Sequence, residues 1–288
     1  MTSWLSKRLL LRPGALPRCA LLWAALLWLA LAGPSLAADR PRIEGFLETT
    51  GFDVAIESIA LSAENAPEML GLEAADFGAG WRLAARQVFD AETMRNRAVT
   101  ILEATLDDAF LNHAERFYAS DLGQRLVAAE NSAHFAEDAD KSGLGQDLVA
   151  QYLRDADPRL DLLRRLNHAI DPNDIGPEAV QEVQLRFLLA AAFAEVITLK
   201  VDEEGLRAML RESRPALRRD LATAGLANAA YTYQDFSEAE LRAYAEALEH
   251  PDMQVVYELM NAVHFEVMSN RFEALAARLG ALQPELEL

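Results

Sequence analysis

The chain is nearly free of cysteine: Cys19 is the only one among 288 residues. It falls in a leader segment, so no disulfide can brace the mature protein, and an exported chain of about 250 residues must then rely on its own hydrophobic core. Basic residues are scarce too, with 27 Lys and Arg against 45 Asp and Glu and a formal net charge of −18. So acidic a surface repels nucleic acid and anionic membranes and favours cations or basic partners; its plainer consequence is good solvation. Sustained alternation of β-branched residues is missing, which argues against a sheet. Past the leader there is no apolar run of spanning length either. Phe187 to Ile197 is strongly apolar, but a membrane helix needs roughly 20 such residues.

Catalytic signatures are equally thin. No His-x-x-x-His or paired-cysteine spacing occurs, and no serine sits in a glycine-flanked strand-turn-helix elbow. Ser120, with His113 seven residues before it, stands where a helix cap is expected, its hydroxyl occupied by backbone amides. With Trp4, Trp23 and Trp28 in the leader, Trp81 is the only tryptophan left to line a sugar cleft, so the abundant carboxylates do not suggest a glycosidase. Asp76-Phe77-Gly78-Ala79-Gly80 lacks the lysine and preceding strand of a phosphate loop. Glu137 to Gly143 has Lys141 where a calcium loop needs oxygen ligands, and reads as a helix end and linker.

What is present begins with an export signal. Lys7, Arg8, Arg12 and Arg18 form a basic front, Ala20 to Ala32 is an apolar core, and Ser35-Leu36-Ala37 offers the small residues of a cleavage site. Residues 1–37 are therefore expected to be removed after Ala37, leaving a periplasmic protein with no transmembrane anchor. Cys19 precedes the apolar core, which excludes a lipoprotein.

The mature chain is organised around Asp108 to Phe135, which recurs 130 residues later. Ala109 and Leu111 return as Ala239 and Leu241, Gln124 as Gln254, and Asn131-x-x-His134-Phe135 as Asn261-x-x-His264-Phe265. Such ungapped agreement marks a duplication, with a first helical unit at 38–170, a linker at 171–175 in Asp171-Pro172-Asn173-Asp174-Ile175, and a second unit at 176–288. Each copy pairs two amphipathic helices across a short break, Ser120-Asp121 in one and His250-Pro251-Asp252 in the other. Ser237-x-x-Glu240 is a capping-box pattern.

Phe117-Tyr118-Ala119-Ser120-Asp121-Leu122-Gly123-Gln124 resembles the FY-x-S-x-x-G-Q pattern of a bacterial family catalogued as domain of unknown function 2059. The resemblance covers roughly Trp81 to His134 and implies a small exported all-helical domain without an established activity. The second copy departs from the motif, with Leu248-Glu249-His250-Pro251 in the aromatic-serine positions and Met253 in place of Gly123.

The periodicity predicts an all-α protein, monomeric or weakly oligomeric. Helices are expected over 41–63 with a break at Gly51, over 81–89 and 92–105 on either side of a capping Asp90, and over 144–154 and 159–169. A long central helix is expected over 178–200, then 202–214, a new helix opened by Pro215 and closed by Gly225, and a short linking piece over 228–233. Two sites follow. Phe117, Tyr118, Tyr244, Leu248, Tyr257 and Phe265 are candidates to line a groove between the copies that takes a hydrophobic ligand or a partner helix. The paired Asn131, His134, Asn261 and His264 either fix helix packing or converge, in which case His134 and His264 would ligate a metal with Glu130, Glu258 or Glu266 nearby. The favoured function is a non-enzymatic binding or envelope-associated interaction protein without a cofactor; the alternative is a metal-dependent role at the two histidines.

Overall fold

The longest helix is the one around which the others pack. The computed structural model describes residues 39–71 and 78–282, and its last helix, Pro251–Leu282, runs for 32 residues, about 48 Å at the usual rise. In chain order the helices are α1 (Arg40–Thr50), α2 (Phe52–Glu57), a 3₁₀ segment (Ser58–Asn65), α3 (Ala66–Met69), α4 (Gly78–Val88), α5 (Ala91–Thr105), α6 (Asp108–Tyr118), α7 (Asp121–His134), α8 (Asp138–Asp155), α9 (Arg159–Ile170), α10 (Gly176–Phe193), α11 (Glu203–Thr232), α12 (Glu238–Leu248) and α13 (Pro251–Leu282). The protein is all-α, and no strand occurs among the described residues. None of these helices is long and apolar enough to cross a membrane. The leader at 1–37 and the acidic residues 283–288 lie outside the described residues.

Side-chain oxygens start six of the helices. Asp39, Asp90, Asp107, Ser120, Asp202 and Ser237 each accept an amide from the first turn that follows, satisfying donors that a helix start otherwise leaves unpaired. Ser237 and Glu240 complete the capping box. Gly51 breaks the first helix with a φ of 76°, a conformation that costs glycine nothing.

Met253, Val256, Met260, Val263, Val267, Phe272, Leu275 and Leu279 of α13 are all buried. They point in several directions, because α10 packs along α13 while α2, α4, α5, α6 and α9 meet its other faces; a helix apolar all round belongs inside a core. The halves on either side of residues 171–175 thus share one interior, and Ala37–Leu288 forms a single compact unit. Helix bounds coincide at the 130-residue offset. α6 and α12 are both 11 residues long, α7 opens at Asp121 and α13 at Pro251, and Leu111 and Leu241, Ala114 and Tyr244, and Tyr118 and Leu248 are buried as pairs.

Three expected boundaries are corrected. The central helix stops at Phe193 instead of reaching residue 200, because Glu195 turns left-handed (φ 59°) and the Val196 amide bonds back to the Ala191 carbonyl, a Schellman closure made without glycine. Pro215 does not open a new helix: α11 runs unbroken for 30 residues through it and through Gly225. One missing amide bond is outweighed by packing along α8, α10 and α9. Finally, Asp138 starts α8 instead of lying in a linker.

Candidate functional site

Glu130 sits on α7 in a place that elementary electrostatics disfavours. Its Oε1 accepts hydroxyl hydrogen bonds from Tyr233, at the C-terminal cap of α11, and Tyr244 on α12, each 2.7 Å long. The hydroxyls of Tyr118, Tyr244 and Tyr257 lie within 2.5 to 3.3 Å of one another, so two tyrosines bond the carboxylate directly and Tyr118 and Tyr257, from α6 and α13, back Tyr244 behind them. Burial pushes the Glu130 carboxyl above its usual range despite the two tyrosine bonds, which pull the other way. No lysine, arginine or histidine forms an ion pair with it among the described residues. Burial likewise drives the Tyr118, Tyr233 and Tyr244 hydroxyls well above 10, so all remain protonated donors.

This cluster forms one wall of a cavity of about 480 Å³, within the roughly 300–1,000 Å³ of small-molecule sites. Phe52 and Ile56 come from α2, Glu130, Asn131 and His134 from α7, Lys141 from α8, Asn167 and Ile170 from α9, Asn228, Thr232 and Tyr233 from α11, Tyr244 and Leu248 from α12, and Tyr257, Met260, Asn261, His264 and Phe265 from α13. Both halves of the chain therefore line it. Protein encloses Glu130 while part of its surface faces the cavity.

Of the expected groove residues, Tyr244, Leu248, Tyr257 and Phe265 line the cavity. Tyr118 is fully buried beneath it, hydroxyl-bonded to Tyr244 and Tyr257. Phe117 is set back from the wall and stacks on Tyr244, with centroids 5.7 Å apart and planes 4° from parallel. All four paired residues line the cavity. The Asn261 amide donates to the Ile170 carbonyl at 2.8 Å and so ties α13 to the end of α9, whereas Asn131 Oδ1 is buried without a partner. His134 Nδ1 lies 3.3 Å from Ser58 Oγ. Burial lowers the His134 pKa, with the charge of Lys141 adding to the effect. Burial lowers that of His264 to about 4, His134 contributing. Both rings are neutral at pH 7. No third carboxylate, thiol or imidazole joins this pair within common metal reach among the described residues. Glu266 is held instead by Arg97 and Arg186, and Glu258 is exposed.

Sequence reasoning named Glu130 only as a neighbour and missed Tyr233, Asn228 and Thr232, which it assigned to a linking piece. The signal was there: residues 225, 228, 229 and 232 recur at helical spacing and all line the cavity.

A family model described as an uncharacterized protein conserved in bacteria (DUF2059) matches residues 92–151. That stretch is a DUF2059 segment. The match begins in α5 and ends within α8, so the DUF2059 segment supplies Glu130, Asn131, His134 and Lys141, while the facing wall comes from helices outside it. Searches of curated proteins and of solved structures give no match.

Proposed function

We propose that this chain is a non-enzymatic binding protein, exported to the periplasm, whose cavity takes a small organic ligand carrying a protonated amine. The observation that carries the reading is Glu130: a carboxylate held at the cavity wall by neutral tyrosine donors, with no ion pair to it among the described residues, the lysine of the lining, Lys141, being bonded to the Ala133 carbonyl. The acceptors left unfilled there, the carboxylate and Asn131 Oδ1, call for a ligand that donates. Phe52, Tyr233, Tyr257 and Phe265 supply aromatic surface beside them, and an ammonium against aromatic rings gains about 0.5–2 kcal/mol, more as water is excluded. The chain's acidity favours the approach of a cation. No serine or cysteine is among the described residues lining the cavity, and the Ser58 hydroxyl beside His134 donates to the Ala55 carbonyl of its own turn. The basic front and apolar run of residues 1–37 support export, and mass spectrometry of periplasmic protein should find Ala38 at the amino terminus.

Thermal shift with alkylamines, polyamines and aralkylamines, each beside a neutral isostere such as phenethyl alcohol for phenethylamine, tests the ligand class. Binding to the folded state raises the transition. At least one amine should raise it in the wild type, neither its isostere should match it nor Glu130→Gln respond. Equal shifts from amine and isostere, an undiminished response in Glu130→Gln, or silence across the panel would each overturn the assignment.

A further inference from the structure

Away from the cavity, at the junction of α6 with the break between α12 and α13, two imidazoles and a carboxylate meet. His113 is carried by α6, half-buried, and its ring stacks on that of His250 with centroids 4.2 Å apart and planes 25° from parallel. Asp252, in the first turn of α13, brings Oδ2 to 3.7 Å from His113 Nδ1 and 3.9 Å from His250 Nδ1. One ligand atom from each of the three residues lies within 4.8 Å of the others, and this is the one such group among the described residues.

His250 Nδ1 accepts the Asp252 amide at 3.2 Å, so that nitrogen carries the lone pair, and an ion taken there displaces the amide bond. Pro251 fixes the turn between the two ligands. In a tetrahedral site with bonds of about 2.0–2.1 Å, neighbouring ligand atoms stand about 3.3 Å apart, so Asp252 Oδ2 closes on each nitrogen by about half an ångström and the stacked imidazoles turn out of their parallel arrangement to aim their in-plane lone pairs at one ion. His250 is exposed and His113 and Asp252 half-buried, which leaves room for that movement.

We propose that His113, His250 and Asp252 bind a divalent transition-metal ion, zinc being the best fit, with a further coordination position open to water. Two neutral imidazoles and a carboxylate suit a borderline ion, whereas calcium or magnesium would ask for an oxygen cage. Metal binding requires uncharged imidazole, and at His113 burial, then His250 and Arg116, oppose protonation more strongly than Asp252 favours it. The ion would staple α6, in the DUF2059 segment, to the α12–α13 break.

Calorimetric titration of zinc chloride into EDTA-treated, dialysed protein is the test, run on the wild type, His113→Gln, Asp252→Asn and His264→Gln, each checked for native helicity by circular dichroism. One zinc per chain is expected in the wild type and in His264→Gln. Binding should weaken at least about tenfold in the other two variants. No heat up to millimolar zinc, binding that survives both His113→Gln and Asp252→Asn, or binding lost in His264→Gln would overturn the site. Asp252→Asn keeps shape and first-turn polarity, so loss of binding with intact helicity cannot be ascribed to unfolding.

Discussion

Two glycines two residues apart on α8 should answer the same substitution with opposite signs. A Cβ built on Gly143 meets nothing within 4 Å, while one on Gly145 falls 2.2 Å from the Ala227 carbonyl oxygen and 2.7 Å from its carbon, across the contact with α11. Alanine in a helix is favoured over glycine by about 0.8–1 kcal/mol, so Gly143→Ala should stabilise by up to that amount. At Gly145 the obstruction is backbone that no rotamer change can move, and α8 and α11 must part by about an ångström. Overpacking of this kind costs about 1–3 kcal/mol, occasionally more, and the depth of the overlap puts this case at the upper end, outweighing the propensity gain. A domain of this size shifts roughly 2–4 °C per kcal/mol. Thermal melts should therefore place Gly143→Ala a few degrees above wild type and Gly145→Ala roughly 5–10 °C below it. A Gly145→Ala protein that melts at or above wild type, or a Gly143→Ala protein that falls as far, would refute the close approach of these helices. Ala227 precedes cavity-lining Asn228 and Ala229, so Gly145→Ala should also weaken any amine response.

Glu130→Gln should raise the melting temperature at pH 7 while abolishing that response. Its folded pKa lies above the unfolded value of 4.5, so its contribution is fully present below 4.5 and is lost as pH rises through the folded pKa; the advantage of glutamine should vanish near pH 4. His264 runs the other way. Its folded pKa of about 4 lies below the ordinary 6.5, so the unfolded chain takes up a proton first on acidification. Stability should fall between those two values by up to about 3 kcal/mol, and His264→Gln should flatten the slope of urea midpoints across that window. Tyr118→Phe removes a fully buried hydroxyl bonded to two others and should cost about 1–2 kcal/mol, measured by urea unfolding. A cost near zero would mean that the hydroxyl cluster is not cooperatively bound.

How much of this was legible depends on whether the signal was local. Asp90, Ser120 and Ser237 sit beside the amides they cap, and Gly51 carries its own left-handed turn, so each reads directly. Glu195 has no such label: it closes α10 because Val196 finds a buried position behind it, a tertiary fact. Pro215 misled for the same reason, since the packing that holds α11 together comes from α8, α9 and α10. The cavity was half-visible. Tyr244, Tyr257, His134 and His264 were reached through the repeat, but Tyr233 has no counterpart in it. That Glu130 meets Tyr233 at the end of α11 and Tyr244 on α12 depends on helix order in space. The His113–His250–Asp252 group was invisible because a side chain on one helix meets two from a break 137 residues further on.

The core helix is last in chain order among those described. A ribosome that has made residues up to 250 has made every helix that α13 is to touch, yet the apolar faces of α4, α5, α6, α9 and α10 that it covers have nothing to settle against. Closure must wait for α13, so the polypeptide remains threadable until that helix is made. Cutting α13 short should then leave not a smaller protein but an unfinished one, open along its whole axis.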